Sequence, residues 1–242
     1  MSISGLPPHS EIFITQDGSP TLIWRRNDGY AEKMHHSGGA LSESFYIYHH
    51  ALQNTLERGW PPRLLSVGLG LAYNELIAIG QLVRSGVADW KMWSFESEAF
   101  LRDSFRAWLI ESDCALSPTY TQILTVISQR LDLSPTTLKN ATRDALTTGQ
   151  WVLGRAFPPS MEVEMGPITC VFYDAYSKKM HPELWVEEDL RQQLERWLDT
   201  RCVFATYAAT GGLNRALRAL GFSLQSRPGF LGKRESTLAI RQ

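Results

Sequence analysis

Two carboxylates and a pair of glycines stand where a layered α/β chain would place its chemistry. Residues 64–75 read LLSVGLGLAYNE: an apolar, branched run stops at Gly68, a second glycine follows at Gly70, and helical spacing begins soon after. Glycines at such a strand exit let the backbone approach a ligand without a Cβ in the way. They also serve a plain strand-to-helix connection, and the pattern by itself leaves both readings open. A dinucleotide fingerprint G-x-G-x-x-G needs glycine at position 73, where Tyr73 stands, so dinucleotide binding is disfavoured. The next apolar run, KMWSF, ends at Glu96. An acid there can accept hydrogen bonds from a ribose diol, or it can complement the dipole of the following helix. A third run, ITCVFY, leads to Asp174, flanked by Tyr173 and Tyr176. A carboxylate delivered by a buried strand is costly without a partner. It can orient an amine or accept its proton, because an ammonium has no lone pair with which to attack; a turn-capping aspartate is the plain alternative. Trp185 reads as a packing residue and His181 as a loop histidine.

The elements that must position these groups follow from periodicity. IFIT and TLIW flank QDGSP and predict a short hairpin. Helical spacing over 41–57, after Gly38 and Gly39 and before a glycine stop, predicts a helix. From residue 64 the pattern alternates: strand 64–67, helix 72–84, strand 91–95, helix 98–110. Region 113–149 is assigned as a helical insertion, with Ser134 and Pro135 opening a helix to about 146. Strands at 151–153, 168–173 and 202–206 and helices at 182–198 and 212–220 continue the alternation. Two strand-like runs, 222–226 and 236–240, bracket RPGFLGKRE. The fold class is therefore α/β, a mainly parallel Rossmann-like sheet with an antiparallel C-terminal edge, whose ligand crevice lies outside the carboxyl ends of the strands. Residues 1–60 are read as a small N-terminal hairpin and helix extension, and 61–242 as the Rossmann-like domain.

The 242 residues carry 24 Lys+Arg against 25 Asp+Glu, a formal net charge of -1, so the molecule as a whole is no generic polyanion binder. Local charge differs. After position 200, Arg201, Arg215, Arg218, Arg227, Lys233, Arg234 and Arg241 face the single acid Glu235. Arg227, Lys233 and Arg234 bracket Phe230, a grouping that suits phosphates and a stacked base as well as solvated surface. Three separated cysteines argue for a reducing compartment and against a disulfide frame or zinc site. The histidine pairs 35–36 and 49–50 lack partners at metal-ligand spacing, so no metal is expected. No signal peptide or membrane span is read, and the expectation is a cytoplasmic protein.

Three segments, HSGGALSESFYIYHHAL (36–52), FYDAYSKKMHPELW (172–185) and GGLNRALRALGFSLQSRPGFLGKRE (211–235), resemble signature segments of the MnmC-type tRNA methyltransferase domain. The resemblance runs from about residue 12 to 240. It implies an S-adenosylmethionine-dependent methyltransferase fold, methylation of the aminomethyl group on wobble uridine 34, tRNA as partner and S-adenosylmethionine as donor. Gly68, Gly70 and Asn74 match the family's donor-binding turn, Glu96 the ribose-binding acid, and Glu43 an acid near the donor. Asp174 matches the catalytic acid that faces the methyl group and the amine. Lys233, Arg234 and Glu235 match the terminal motif near the substrate entrance, and with them Tyr176, Lys178, Arg227 and Phe230 are assigned to substrate binding. The chain departs from the pattern at several places: Leu71 and Ala72 replace Thr-Gly, Arg155 stands at the aspartate of L-G-D-A, and Lys178 and His181 replace proline and asparagine. These departures motivate two alternatives, a non-catalytic RNA-binding relative and a methyltransferase for another amine. The flavin oxidase domain of many members has no counterpart in these residues, which assigns any flavin step to a separate protein.

Overall fold

The computed structural model describes residues 5–26, 28–159, 163–232 and 235–242. Its centre is a seven-stranded sheet in the order β6-β5-β4-β7-β8-β10-β9. β4 (Arg63–Val67), β5 (Lys91–Phe95), β6 (Trp151–Gly154), β7 (Ile168–Tyr173) and β8 (Leu198–Thr206) run parallel, while β10 (Glu235–Arg241) lies antiparallel between β8 and β9 (Ser223–Pro228). The antiparallel ending predicted from the sequence is present, with the last strand inserted rather than added at the rim. β4 and β7 read as apolar runs because helices cover both faces of the sheet, and all of Ile168–Tyr173 is buried.

One face carries α2 (His50–Glu57), α3 (Tyr73–Arg84) and the three helices between β5 and β6; the other carries α7 (Glu187–Glu195) and α8 (Gly211–Ala219). α3 (Tyr73–Arg84) is buried from Tyr73 through Leu82, because α5 (Ser117–Leu131) and α6 (Pro135–Thr147) pack over the side turned away from the sheet. The 113–149 region is thus two helices, and Ser134 caps α6 by accepting from the Thr137 N–H at 2.9 Å. α4 (Ala99–Leu109) completes this face through Phe105, which meets Trp108, Tyr120 and Trp151. The helix predicted over 182–198 is shorter: Pro182–Trp185 form a 3-10 turn, α7 ends at Glu195, and β8 begins at Leu198.

The N-terminal hairpin is a three-stranded sheet, β1 (Ser10–Ile14), β2 (Pro20–Arg25) and the additional β3 (Ala31–Lys33). Its turn caps a helix. Asp17 accepts from the Ser42 N–H and hydroxyl, and Ser19 Oγ accepts from the N–H groups of Ala40 and Leu41, satisfying the exposed donors of α1 (Ala40–Ser44). Partial burial works to raise the Asp17 carboxyl, and hydrogen bonds donated by the hydroxyls of Ser19, Ser42 and Thr15 and by the Ser19 N–H outweigh it, lowering its pKa to about 2. The helix continues through a π-turn, Phe45–His49, into α2 (His50–Glu57). Leu52 and Tyr48 share one core with Leu64, Cys170 and Phe172, so the segment 40–57 packs on the main sheet. Among the described residues no helix is long and apolar enough to cross a membrane.

Candidate active site

The carboxyl ends of β4, β5 and β7 open into a cavity of about 690 Å³. Gly68 and Gly70 leave β4 with φ of 92° and 51°, values that favour glycine. A Cβ on Gly68 would collide with the carbonyl oxygen of Asp174, so the turn after β4 and the end of β7 are in direct backbone contact. Ala72 keeps the left-handed conformation, φ 62° and ψ 24°, that glycine would adopt freely at the start of α3. The turn therefore retains its shape with one methyl group added.

Glu96 lies at the next strand end, 4% exposed. Its carboxylate accepts from the N–H groups of Gly70 and Glu98, both at 2.9 Å. Burial raises its pKa, and those two backbone N–H groups work against the rise. Asp174 is half-buried and accepts from Asn74 Nδ2 at 2.7 Å. Asn74 on α3 thus stands against the β7 carboxylate, joining the glycine turn to Asp174 by a side-chain bond as well as by backbone contact. The cavity also receives Tyr48 from the π-turn, Tyr207 beyond β8, and Glu43, whose Oε2 accepts from the His36 N–H at 2.6 Å. Burial, then the charges of Asp174 and Glu43, hold the proton on the Tyr48 hydroxyl.

The loop after β7 forms the facing wall. The Tyr176 hydroxyl is buried without a hydrogen-bond partner, and burial first, then Glu96, Glu98 and Glu32, raise its pKa. Ser177 is tied to Glu32 of β3 through both its N–H, at 3.2 Å, and its hydroxyl. Lys178 is exposed and outside the cavity wall. Arg227 and Phe230 belong to the rim, where they meet one side chain: the Arg227 guanidinium lies 3.7 Å from the centre of the Tyr46 ring, and Phe230 stands 6.1 Å from the same ring and 5.6 Å from His36. The Tyr46 hydroxyl donates to the Pro228 carbonyl at 2.8 Å, closing this aromatic and cationic cluster. Lys233 and Arg234 lie outside the described residues.

Arg155 falls immediately after β6, whose Gly154 pairs with Phe95 in parallel register. Its side chain is exposed and not part of the cavity wall, while Ala156, Phe157 and Pro158 do line the cavity. Its carbonyl receives Arg102, which also donates to the carbonyls of Glu96 and Ser97. Arg102 thus ties the ends of β5 and β6 together beneath the wall.

Several residues of the site escape sequence reading. Glu32 and His35 arrive from a three-residue strand and the segment after it, with no motif to mark them. Tyr46 and Tyr48 lie inside the 36–52 segment, where helical spacing marks them as packing residues. Glu75, in the first turn of α3, is fully buried beside Ser66 and Ser94. Burial pushes its pKa up to about 8. Among the described residues no group of three or more His, Cys, Asp or Glu could hold a metal ion.

Residues 150–242 match a family model described as S-adenosyl-L-methionine-dependent methyltransferase. Two relatives are bifunctional tRNA 5-methylaminomethyl-2-thiouridine biosynthesis proteins named MnmC. The protein of Aromatoleum aromaticum is 25% identical over 239 residues, covering 93% of this chain and 34% of the relative. That of Burkholderia thailandensis is 24% identical over 241 residues, covering 89% and 34%. The chain therefore spans about a third of the length of these relatives. A crystal structure of MNMC2 from Aquifex aeolicus aligns over 95% of this chain and 70% of its own, with a TM-score of 0.65 and 24% identity. The fold is that of the S-adenosyl-L-methionine-dependent methyltransferases, and over nearly its whole length the chain is similar to the methyltransferase portion of the MnmC proteins.

Proposed function

We propose that this chain transfers a methyl group from S-adenosylmethionine to the aminomethyl group of wobble uridine 34 in tRNA. The observation that carries the reading is Asp174, fixed by Asn74 and set in backbone contact with the Gly68 turn. The cradle suits the donor on two counts: Gly68 has no Cβ to block the close approach, and Glu96 keeps a carboxylate at the cavity edge with Gly70 and Glu98 already bonded to it. When bound, the donor supplies an electrophilic methyl on a sulfonium.

The chain's own residues do the rest. Gly68, Gly70 and Glu96 hold the donor side, with Glu96 taking the ribose hydroxyls. Asp174 orients the acceptor nitrogen and takes the proton that an ammonium must lose before its lone pair can attack. Neighbouring strand ends bring two reactants into one cavity, a contribution for which effective molarities of about 10⁵ M or more are available. Glu43 orders the His36 segment beside the cavity. Tyr46, Arg227 and Phe230 offer ring faces and a cation at the rim, a composition suited to an unstacked base and its phosphate; Lys178, Lys233 and Arg234 are assigned to the substrate from the sequence alone. The similarity to MnmC proteins supports the choice of acceptor.

The test is incubation with methyl-labelled donor and tRNA bearing 5-aminomethyl-2-thiouridine at position 34, followed by nucleoside mass spectrometry. The expected product is the 5-methylaminomethyl nucleoside. Donor binding with no methylated nucleoside at position 34 would refute the acceptor, and absence of donor binding would refute the transfer itself.

A further inference from the structure

The charge asymmetry of the C-terminal sequence is redistributed by the fold. Arg201 and Arg215 pair with Asp199 at 3.9 Å and Glu187 at 2.7 Å. Arg227 instead joins two exposed arginines from distant segments, Arg84 at the end of α3 and Arg130 in the last turn of α5. Helical spacing brings them to one place: Tyr46, His49 and His50 share a side of the 40–57 helix, while Tyr48 points from the opposite side into the cavity wall. Arg227 lies over Tyr46, and the Arg130 guanidinium lies 4.5 Å from the centre of the Phe45 ring, itself 5.1 Å from His49. A ring face beneath a guanidinium leaves its fork of N–H donors open to an acceptor. Arg84, Arg130 and Arg227 form no ion pair among the described residues. The histidines register the resulting field. Burial first, then Arg130, His50 and Arg84, push the His49 imidazole down to about 4, and burial and then Arg227 lower His50 against the pull of Glu57. This strip of unpaired cations belongs to a chain of net charge -1.

The strip has a direction. It begins at the cavity rim, where Tyr46 and Phe230 meet, and runs down the flank of the domain to Arg84. α3 starts beside the glycine turn and ends at Arg84, with 12 residues between those limits, a length of about 18 Å at the usual helical rise. A nucleic-acid strand advances about 3.4 Å per nucleotide, so Arg84 stands about five nucleotides from a base seated in the cavity. That is beyond the immediate neighbours of the reacting base. We propose that Arg227, Arg130 and Arg84 form a track for the RNA phosphate backbone, with which the domain holds the stem that carries the acceptor loop. The inference rests on the RNA-methylating reading and adds a second point of contact: the cavity takes a base, and the track takes the backbone outside the loop. Phosphate contacts fix register without reading sequence, so the track sets how the RNA lies and leaves the choice of base to the cavity.

The experiment measures binding and so does not depend on turnover. With S-adenosylhomocysteine bound, the full chain and its Arg84→Glu and Arg130→Glu variants are titrated by fluorescence anisotropy with two probes, whole unmodified tRNA and the anticodon loop alone as a single-stranded oligonucleotide. Arg218→Glu makes the same charge change on α8, across the sheet from the track. Each track variant should lose at least about tenfold in tRNA affinity, with the slope of log affinity against log salt reduced by about one. The loop probe and Arg218→Glu should change less than about twofold on the same scale. Arg130→Lys, which keeps the charge, should retain most of the affinity, and unchanged S-adenosylhomocysteine binding reports an intact fold. Failure of the parent to bind tRNA overturns the track, as does unchanged tRNA affinity in both reversals or an equal loss with the loop probe or in Arg218→Glu. So does adsorption to phosphatidylserine vesicles that the reversals abolish while tRNA affinity holds, because the strip would then face a lipid surface. If the reversals weaken tRNA binding as expected and no nucleoside at position 34 is methylated, the track stands and the wobble-uridine acceptor falls.

Discussion

On the reading proposed above, the cavity has a donor wall and an acceptor wall, and the two are built on different plans. The donor wall comes from the ends of β4 and β5, with its parts close in sequence: Gly68, Gly70 and Asn74 lie within seven residues, and Glu96 ends the adjacent strand. The acceptor wall collects Glu32 from the N-terminal sheet, Glu43 and Tyr48 from the helix with the π-turn, Asp174 and Tyr176 after β7, and Tyr207 beyond β8. A wall made of strand ends inherits its geometry from the sheet. A wall gathered from four segments is positioned by side-chain bonds such as Ser177 to Glu32 and His36 to Glu43, and can change acceptor without changing the sheet.

If this contrast is right, damage to the donor wall should be severe and shared, and damage to the acceptor wall selective. Gly68→Ala is the strongest test, since its Cβ meets the Asp174 carbonyl and its φ is unfavourable for alanine. We expect donor affinity to fall at least about 100-fold, together with a lowered melting temperature; calorimetric titration with S-adenosylhomocysteine measures the first. Asp174→Ala should lower turnover by about 10² to 10⁴, the usual worth of a positioned acid or base, while donor affinity stays within about threefold. Asn74→Ala should reproduce a smaller part of that loss, about tenfold, through kcat, because it removes the bond that fixes Asp174. At the rim, Tyr46→Ala removes the ring beneath Arg227. A cation–π contact of about 1 kcal/mol corresponds to roughly a fivefold rise in acceptor KM, with donor KM unchanged; a matching change in both would erase the distinction between the walls.

The smallest effect concerns stability beneath the donor wall. Glu75 keeps its proton in the folded chain to a pH of about 8, whereas the unfolded chain releases it near the ordinary value of 4.5. The folded state binds more protons across that interval, so stability falls as pH rises from 4.5 to 8 and levels off above it. Glu75→Gln has no such proton, and its melting temperature should exceed that of the parent by a few degrees at pH 8 and by less at pH 5. An equal difference at both pH values would show that Glu75 is not held neutral.

The plan of each wall also decides how much of it sequence reveals. Strand 91–95 and strand 168–173 were legible to the residue, because a parallel strand covered on both faces is an unbroken apolar run. Gly68 to Asn74 and Glu96 were legible as a strand-exit pattern, and Asp174 as the polar residue that ends such a run. The 182–198 helix was overextended, since Trp197 and Leu198 continue its apolar spacing while Trp197 lies in the turn before β8 and Leu198 opens that strand. Glu32 gave no signal: three strand residues carry no period, and its role depends on a loop 145 residues away. Tyr46 and Arg227 each look like ordinary surface or packing residues until the hairpin of β9 and β10 brings them together.

That hairpin also bears on how the chain is made. β10 is synthesised after every other strand of the sheet, yet it fills the slot between β8 and β9 with pairing on both sides. Until it arrives, the outer edge of β8, with Cys202 to Thr206 all buried in the finished fold, has no partner. An unpaired apolar edge of this kind recruits other chains. A chain cut shortly before residue 235 would therefore be a sticky fragment, and the pairing of β10 is the step that makes the nascent sheet safe from its neighbours.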